Sequence, residues 1–227
     1  MRLGLIFAIL SSLIGLNATA QTLTLTTEDY FPFDIVDAKT GNFSGISTDK
    51  VIELMRRSGE KYTVSAYPWA RSIQMARNDA DTCVFSTTRT PEREAMFKWI
   101  GPIATMNMMI FARADDTRKP KTLENLRPYV IGTYRSDAVG EFFASHSFKT
   151  DLANSDNDNP RKLLYGRFDF WATEELHGKA ILEKQGLSEK IVPLFRFKQD
   201  NLYLACNLGL AQSRIGAVES GLAELPE

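Results

Sequence analysis

The sequence is poor in the residues that most often carry catalysis or bind metals, with two histidines and two cysteines among its 227 residues. Neither His146 nor His177 belongs to an HExxH zinc motif, and the chain contains no GxSxG nucleophile elbow and no phosphate-binding P-loop. No histidine lies next to Cys83 or Cys206 in sequence, so neither thiol has an adjacent base to activate it. We therefore expect no cofactor and no metal, and a binding function in preference to an enzymatic one.

A basic excess is also absent, because 27 Lys and Arg residues are balanced by 28 Asp and Glu residues, for a formal charge of −1. Nucleic acids and anionic membrane surfaces recruit proteins through clustered positive charge. The charge balance therefore excludes nucleic acid as an expected partner. Apolar residues make up 44% of the chain, which is enough for a packed core.

The apolar run that opens the chain is too short for a membrane-spanning helix, which needs about 20 residues. This run, residues 3–16, follows the single cation Arg2 and precedes the small-residue sequence ATA that ends at Ala20. The arrangement is typical of a signal peptide with an A-x-A cleavage site. We predict that residues 1–20 are a signal peptide cleaved after Ala20, and that the mature chain is periplasmic and does not insert into a membrane.

The two cysteines, Cys83 and Cys206, allow one disulfide. Exported proteins meet oxidising conditions, which favour such a bond. A disulfide also needs two Cα atoms a few ångströms apart, and the sequence does not give that distance. A disulfide and a pair of buried thiols therefore both stay open at this point.

Alternating apolar and polar residues predict a first strand, and helically spaced apolar residues that end at Gly59 predict a helix after it. The same reasoning gives a first unit with strands at 23–27, 62–67 and 81–86 and helices at 48–59 and 68–76. This β-α-β-α-β order favours a parallel sheet with right-handed crossovers.

A second α/β unit follows a connecting strand at 106–113. It is predicted to contain strands at 129–133, 168–172 and 191–197 and helices at 137–147 and 175–185. The chain then continues with a strand at 202–206 and an amphipathic helix that carries Ile215, Val218, Leu222 and Leu225. We predict an α/β protein of two lobes, each a mostly parallel sheet flanked by helices, with a crevice between them.

Polar residues gather where the predicted strands end, which is the edge at which open α/β sheets bind ligands. These residues, drawn from both units, are Glu28, Tyr30, Ser86, Thr88, Arg135, Asp137 and Glu174. Together they offer acceptors for an ammonium group and donors for a carboxylate.

The segment that ends at Arg93 follows the third predicted strand. Thr90 as a cap and Pro91 at the first helical position predict a helix whose backbone N–H groups lie beside Thr88. Arg93, one turn into this helix, could bind a carboxylate through two parallel hydrogen bonds. The alternative is an ordinary capped helix whose arginine pairs with Glu92 or another surface acid.

Five candidates, of which Trp69, Arg71 and Trp171 are new here, have both a ligand-binding and a structural interpretation. Trp69 and Tyr30 could stack on a ligand, or they could belong to the core. Glu174 beside Trp171 could hold an amine, or it could cap the helix that follows. Arg71 could face the crevice, or it could form an ion pair at the surface.

Five segments occur in a familiar order along the chain: 28–33 (EDYFPF), 67–71 (YPWAR), 85–93 (FSTTRTPER), 97–102 (FKWIGP) and 169–174 (DFWATE). Together they resemble family 3 of the bacterial extracellular solute-binding proteins, the periplasmic receptors for polar amino acids and related solutes. The resemblance implies a type II periplasmic-binding fold with two lobes joined by two hinge strands. Lobe 1 would comprise residues 21–112 and 201–227, and lobe 2 residues 113–200.

The resemblance also implies roles for individual residues. On the family pattern Arg93 binds the α-carboxylate of the ligand with the help of Ser86 and Thr88. Trp69 takes the position of the stacking aromatic residue, and Tyr30 lines the same wall.

Two departures from the pattern bear on the identity of the ligand. Glu174 replaces the aspartate that usually holds the α-ammonium group, and its side chain is one methylene longer. The carboxylate-binding turn of the second lobe, residues 135–139, usually reads Gly-Ser or Gly-Thr, whereas this chain carries Asp137 there. A standard α-amino acid is therefore not assumed as the ligand.

The implied mechanism is closure of the two lobes of a monomer around a small polar metabolite, with an ABC permease of the inner membrane as partner. One alternative is an exported enzyme of the same fold, similar to cyclohexadienyl dehydratase, with Glu28 or Glu174 as general acid. Another is a sensor module that signals through a partner protein. Turnover of prephenate or arogenate would support the first alternative, and a gene beside a cyclase or kinase the second.

Overall fold

The computed structural model describes residues 21–224, so the predicted signal peptide and Leu225 lie outside the described residues. Its strands are β1 (Leu23–Thr27), β2 (Ile35–Val36), β3 (Phe43–Ser44), β4 (Tyr62–Ala66), β5 (Thr82–Thr88), β6 (Lys98–Arg113), β7 (Val130–Tyr134), β8 (Lys149–Ala153), β9 (Phe170–Glu174) and β10 (Ile191–Cys206). The α-helices are α1 (Ile46–Ser58), α2 (Trp69–Asn78), α3 (Ala138–Ser145), α4 (Asn159–Leu164), α5 (Glu175–Gln185) and α6 (Gln212–Ala223). The predicted α/β class is confirmed.

Eight strands form one sheet in the order β4-β1-β5-β10-β6-β9-β7-β8. Strand β1 pairs in parallel with β4 and β5, and β7 pairs in parallel with β8 and β9. The two 16-residue strands β6 and β10 run antiparallel to each other between these groups. We call β1, β4 and β5 with helices α1, α2 and α6 lobe 1, and β7, β8 and β9 with helices α3, α4 and α5 lobe 2.

The two central strands change partners along their length. The last residues of β10, from Leu202, pair with β5 of lobe 1, whereas Met108–Phe111 of β6 pair with β9 of lobe 2. The chain therefore passes between the lobes twice, where residues 105–107 of β6 lie beside 199–201 of β10. Met108–Phe111 fall within lobe 1 on the predicted boundary at residue 112, and the lobe boundaries stay a prediction.

Each lobe has apolar side chains packed on its own part of the sheet. In lobe 1, Leu23 and Leu25 of β1 pack with Val51 and Leu54 of α1. Helix α1 ends where Gly59 takes a left-handed conformation with φ of 70°, which costs glycine little. A larger cluster extends from one lobe to the other along the central strands.

Cys83 and Cys206 form a disulfide bond in this structure. They lie directly opposite each other on β5 and β10, with their Cα atoms 3.9 Å apart. The bond therefore joins two strands of the same lobe 1 sheet that lie 123 residues apart in the chain.

The structure differs from the predicted elements where polar residues occupy strands. Residues 191–206 form the single strand β10, because the polar stretch around Asp200 still makes backbone hydrogen bonds to β6. Strand β6 likewise begins at Lys98, well before the predicted start at residue 106. The edge strand β8, with the sequence KTDLA, and the short helix α4 were not predicted, since neither has an apolar period.

The helix expected from Thr90 is not formed, which corrects the prediction. Nine residues separate β5 from β6, and they contain only a turn and one 3-10 turn at Glu94–Met96. Strand β6 begins at Lys98, so the chain returns to the sheet before the turns after Thr90 continue into an α-helix. Within residues 21–224, no helix combines the length and the apolar character needed to cross a membrane.

Candidate functional site

The carboxyl ends of β1, β5 and β7 meet between the lobes and surround a small polar cavity. Its volume is about 20 Å³, which is room for about one water molecule. The lining residues are Thr27, Glu28, Tyr30, Asp34, Trp69, Ser86, Thr88 and Arg93 from lobe 1, Met106 on β6, and Tyr134, Asp137 and Ala138 from lobe 2. The lobes are therefore closed onto each other at the edge where the sequence predicts ligand binding.

Glu28 follows β1 and contacts lobe 2. The hydroxyl of Tyr134, at the end of β7, donates a hydrogen bond to Glu28 Oε1 over 2.9 Å. Burial raises the pKa of Glu28 well above its usual value, and this hydrogen bond offsets only part of the effect. The nearby carboxylates of Asp137, Asp156 and Asp34 raise the pKa further.

Asp34 is a fully buried acid on the lobe 1 side of the cavity. Its Oδ1 accepts a hydrogen bond of 2.8 Å from the hydroxyl of Thr48 in α1. Burial raises its pKa from 3.8 to about 7. Ser86 lies beside it, yet neither Asp34 Oδ2 nor Ser86 Oγ has a hydrogen-bond partner of normal geometry among the described residues.

Asp137 is the N-cap of α3 and the main acid on the lobe 2 side. Its Oδ2 accepts from the backbone N–H of Val139 over 3.0 Å and from the hydroxyl of Thr133 over 3.3 Å. Burial raises the pKa of Asp137 to about 7, and the charge of Arg93 opposes this rise. The cavity thus has an acid with a raised pKa on each side.

Arg93 extends from lobe 1 across the cleft and is only 2% exposed. Its Nε donates to Glu141 Oε2 of α3 over 2.8 Å, and its Nη2 donates to the carbonyl of Ser136 over 2.8 Å. A third, longer contact of 3.5 Å joins Nη1 to the carbonyl of Thr88. Arg93 therefore pairs with an acid of the opposite lobe, and not with Glu92.

The carbonyl of Ser136 accepts hydrogen bonds from two side chains of lobe 1. Besides Arg93, Trp69 donates to it through Nε1 over 2.6 Å. Ser136 has φ of 59°, a conformation uncommon outside glycine, and this turn presents the carbonyl to lobe 1. Two side chains of lobe 1 thus converge on one backbone atom of lobe 2.

A further contact between the lobes is an aromatic stack. The rings of Tyr30 and His177 are 3.6 Å apart, and His177 Nδ1 lies 2.9 Å from the carbonyl oxygen of Phe31. Burial lowers the pKa of His177, against the opposing charge of Asp156. His177 was not among the predicted site residues.

Seven of the eleven predicted ligand-binding residues line the cavity: Glu28, Tyr30, Trp69, Ser86, Thr88, Arg93 and Asp137. Two of the others are buried in lobe 2. Trp171 lies in its core and donates through Nε1 to Asp156 over 2.8 Å. Glu174 caps α5 by accepting from the backbone N–H of His177 over 2.8 Å.

The remaining two predicted residues lie outside the cavity on exposed surfaces. Arg71 is placed over the ring of Tyr67, with 4.2 Å from its guanidinium carbon to the ring centroid. Arg135 points to Asn154, to which its Nε donates over 3.1 Å.

Five cavity residues were missed: Thr27, Asp34, Met106, Tyr134 and Ala138. Tyr134 directly follows a predicted strand, so the rule of strand ends could have found it. Asp34 directly follows the EDYFPF segment, but nothing in the sequence distinguishes it from a loop acid at the surface. Glu141, the partner of Arg93, has no such signal either.

Two α/β lobes that share a pair of central strands and close over a polar cavity define a two-lobed binding protein. A family model for bacterial extracellular solute-binding proteins, family 3, matches residues 23–215. The chain belongs to this family, as its motifs predict, and is a solute-binding protein. No curated protein matches the sequence significantly.

Three solved structures illustrate the fold. A histidine kinase sensor domain described as similar to periplasmic binding proteins aligns with a TM-score of 0.80 and 20% identity over 89% of each chain. Holo ArgBP from T. maritima aligns with a TM-score of 0.75 and 21% identity over 89% of each chain. ArtJ from Geobacillus stearothermophilus, an arginine-, lysine-, histidine-binding protein, aligns with a TM-score of 0.74 and 15% identity over 89% of this chain and 88% of its own.

These likenesses confirm the predicted type II periplasmic-binding fold. Family membership points to a solute-binding protein. At these identities the likeness shows the fold alone.

Proposed function

We propose that this protein captures a small polar metabolite, an amino acid or a related amine or carboxylate, in the periplasm by closing its lobes around it. The observation that carries the proposal is the convergence of Arg93 and Trp69 on the carbonyl of Ser136 in the opposite lobe. These contacts exist only when the lobes are closed. The same side chains line the polar cavity, so closure and recognition share residues.

The physical basis is hinge motion on the two central strands, where residues 105–107 lie beside 199–201. Small backbone changes there would separate the walls of the cavity without disrupting either lobe. When the lobes close, water leaves the cleft, and charged hydrogen bonds become stronger in the lower dielectric. A solute that supplies the missing partners of buried polar groups would therefore favour the closed form.

We propose that the captured solute is then taken up through an ABC permease. In support, the chain belongs to an extracellular solute-binding family, and two of its structural neighbours are binding proteins for arginine and for arginine, lysine and histidine. A sensor module is the second candidate, because a histidine kinase sensor domain aligns with a TM-score of 0.80. Neighbouring permease and ATPase genes favour uptake, whereas a neighbouring kinase or cyclase gene favours sensing.

Calorimetric titration with a panel of amino acids, amines, dipeptides and carboxylic acids tests the capture itself. We expect at least one member to bind, and X-ray scattering of the mature protein to show that it shifts the population toward the compact form. Mass spectrometry of solute that co-purifies with the protein would extend the panel. If nothing binds at millimolar concentration, the proposal is wrong.

A further inference from the structure

The cavity is acidic on both sides. Glu28 and Asp34 line it from lobe 1 and Asp137 lines it from lobe 2, whereas Arg93 is the single cationic side chain that lines it within residues 21–224. Arg93 is already bonded to Glu141, a fourth acid. The other three carboxyl groups therefore share the cavity with a single cation that is already paired.

One of these acids also has an unused hydrogen-bonding position. Asp34 is 0% exposed, and its Oδ2 has no partner among the described residues, although Oδ1 is bonded to Thr48. An unpaired buried carboxylate oxygen is costly, and it is normally satisfied by a donor. Ser86 Oγ beside it likewise has no partner of normal geometry among the described residues. This part of the lobe 1 wall therefore has an acceptor and a hydroxyl group that a solute could still bond.

In the closed form Arg93, the charged donor that a carboxylate would need, is already bonded, although the Ser86 hydroxyl is not. Arg93 donates to Ser136 and Glu141, and Trp69 donates to the same carbonyl. The start of α3 would be a natural anion site, but Asp137 fills it with its own carboxyl group, which accepts from the N–H of Val139. A carboxylate that entered here would face the negative charge of Asp137.

We propose that the cleft selects a cationic solute that carries no carboxylate, with an ammonium or guanidinium group held among Glu28, Asp34 and Asp137. The inference rests on the proposed function and names the chemical class of its solute. The sequence predicts that Arg93 binds a carboxylate of the solute. This inference instead assigns Arg93 to the hydrogen bonds that join the closed lobes. The raised pKa values of the three acids agree with it, because a bound cation would favour their charged forms.

The cavity of about 20 Å³ must widen to admit such a solute. Partial opening at the hinge strands separates Glu28 from Tyr134, and likewise Arg93 from Ser136 and Glu141, because all these hydrogen bonds span the cleft. The carboxyl group of Glu28 then becomes available to the solute. Trp69 offers an aromatic wall for the solute's chain beside the charged group.

The test uses pairs of probes that differ only by a carboxyl group, namely agmatine with arginine and cadaverine with lysine, titrated calorimetrically into the mature protein. We expect agmatine or cadaverine to bind at least tenfold more tightly than its parent amino acid, because each good charge-assisted contact changes affinity by about that factor. Succinate serves as the carboxylate probe and should not bind.

Asp137→Asn and Asp34→Asn test the acids individually. Asparagine caps a helix as well as aspartate does, so the first variant removes the charge and keeps the start of α3. Each substitution should weaken binding of the preferred amine about tenfold. Glu189→Gln, which removes an exposed acid of lobe 2 outside the cleft, is the matched control and should bind as the parent protein does.

Equal or tighter binding of arginine or lysine than of its amine, or binding of succinate, would overturn this inference and leave the proposed function intact. Unchanged amine affinity in both aspartate variants would overturn it as well. Failure of every member of the wider solute panel to bind would contradict the proposed function itself.

Discussion

The two lobes contribute unequally to the cavity. Lobe 1 supplies eight lining residues, including the aromatic side chains Tyr30 and Trp69, whereas lobe 2 supplies only Tyr134, Asp137 and Ala138 from the single segment where β7 leads into α3. Lobe 1 also contains the disulfide. The difference indicates that lobe 1 forms most of the recognition surface in advance and that lobe 2 completes it on closure.

The largest expected effect concerns the stability of lobe 1. Replacing both cysteines, Cys83→Ala with Cys206→Ala, should lower the free energy of unfolding by about 2–4 kcal/mol, because the bond joins strands 123 residues apart. Urea unfolding followed by circular dichroism measures this change. Reductant should destabilise the parent protein to the same degree and leave the double variant unaffected. Equal unfolding midpoints for both proteins would show that the disulfide does not support lobe 1.

The next largest effect concerns the contact between the lobes. Arg93→Ala removes the hydrogen bonds to Glu141 and Ser136 and should weaken solute binding about 10- to 100-fold. X-ray scattering should show a more open average form, while the discrimination between an amine and its parent amino acid persists. If discrimination disappears and compactness is unchanged, Arg93 recognises the solute and does not join the lobes.

A smaller effect concerns the pH dependence of the lobe 1 wall. Burial raises the pKa of Asp34 from 3.8 to about 7, so between these values the folded protein holds a proton that the unfolded chain has released. This group therefore lowers stability as pH rises from about 4 through 7. Asp34→Asn removes this destabilising ionisation. From pH 5 to pH 8 the variant should gain free energy of unfolding relative to the parent protein, on the order of 1 kcal/mol.

Thermal unfolding of solute-free protein across this pH range measures the difference. Glu189→Gln should follow the parent profile, since its side chain is exposed outside the cleft. Identical profiles for Asp34→Asn and the parent would mean that Asp34 is ionised throughout.

The smallest effect concerns the two exposed arginines. Arg71→Ala in lobe 1 and Arg135→Ala in lobe 2 should each change solute affinity by less than about twofold, because both side chains lie outside the cavity on the exposed surface. Calorimetric titration of both variants measures this. A tenfold loss in either would mean that the solute-bound form brings that residue into the cleft.

Sequence reasoning found most of the elements and seven of the lining residues, because both follow local rules. Strand and helix periods depend on neighbouring residues, and the rule of strand ends places Glu28, Ser86 and Asp137 at one edge. Sequence reasoning failed where the local pattern of residues does not match the final structure. The edge strand β8 is polar, and the segment after β5 turns too soon for the helix that Thr90 and Pro91 suggested.

The amino-acid sequence by itself determined the α/β order, the family and the strand-end residues from which the cleft is built, since these follow from local periods and short motifs. Only the tertiary structure decided which groups meet: Arg93 with Glu141 and Glu28 with Tyr134 across the cleft, and Cys83 with Cys206 between neighbouring strands. These partners lie 48, 106 and 123 residues apart. Their contact depends on the order of strands in the sheet and on how two lobes close on shared strands, and no local pattern encodes that geometry.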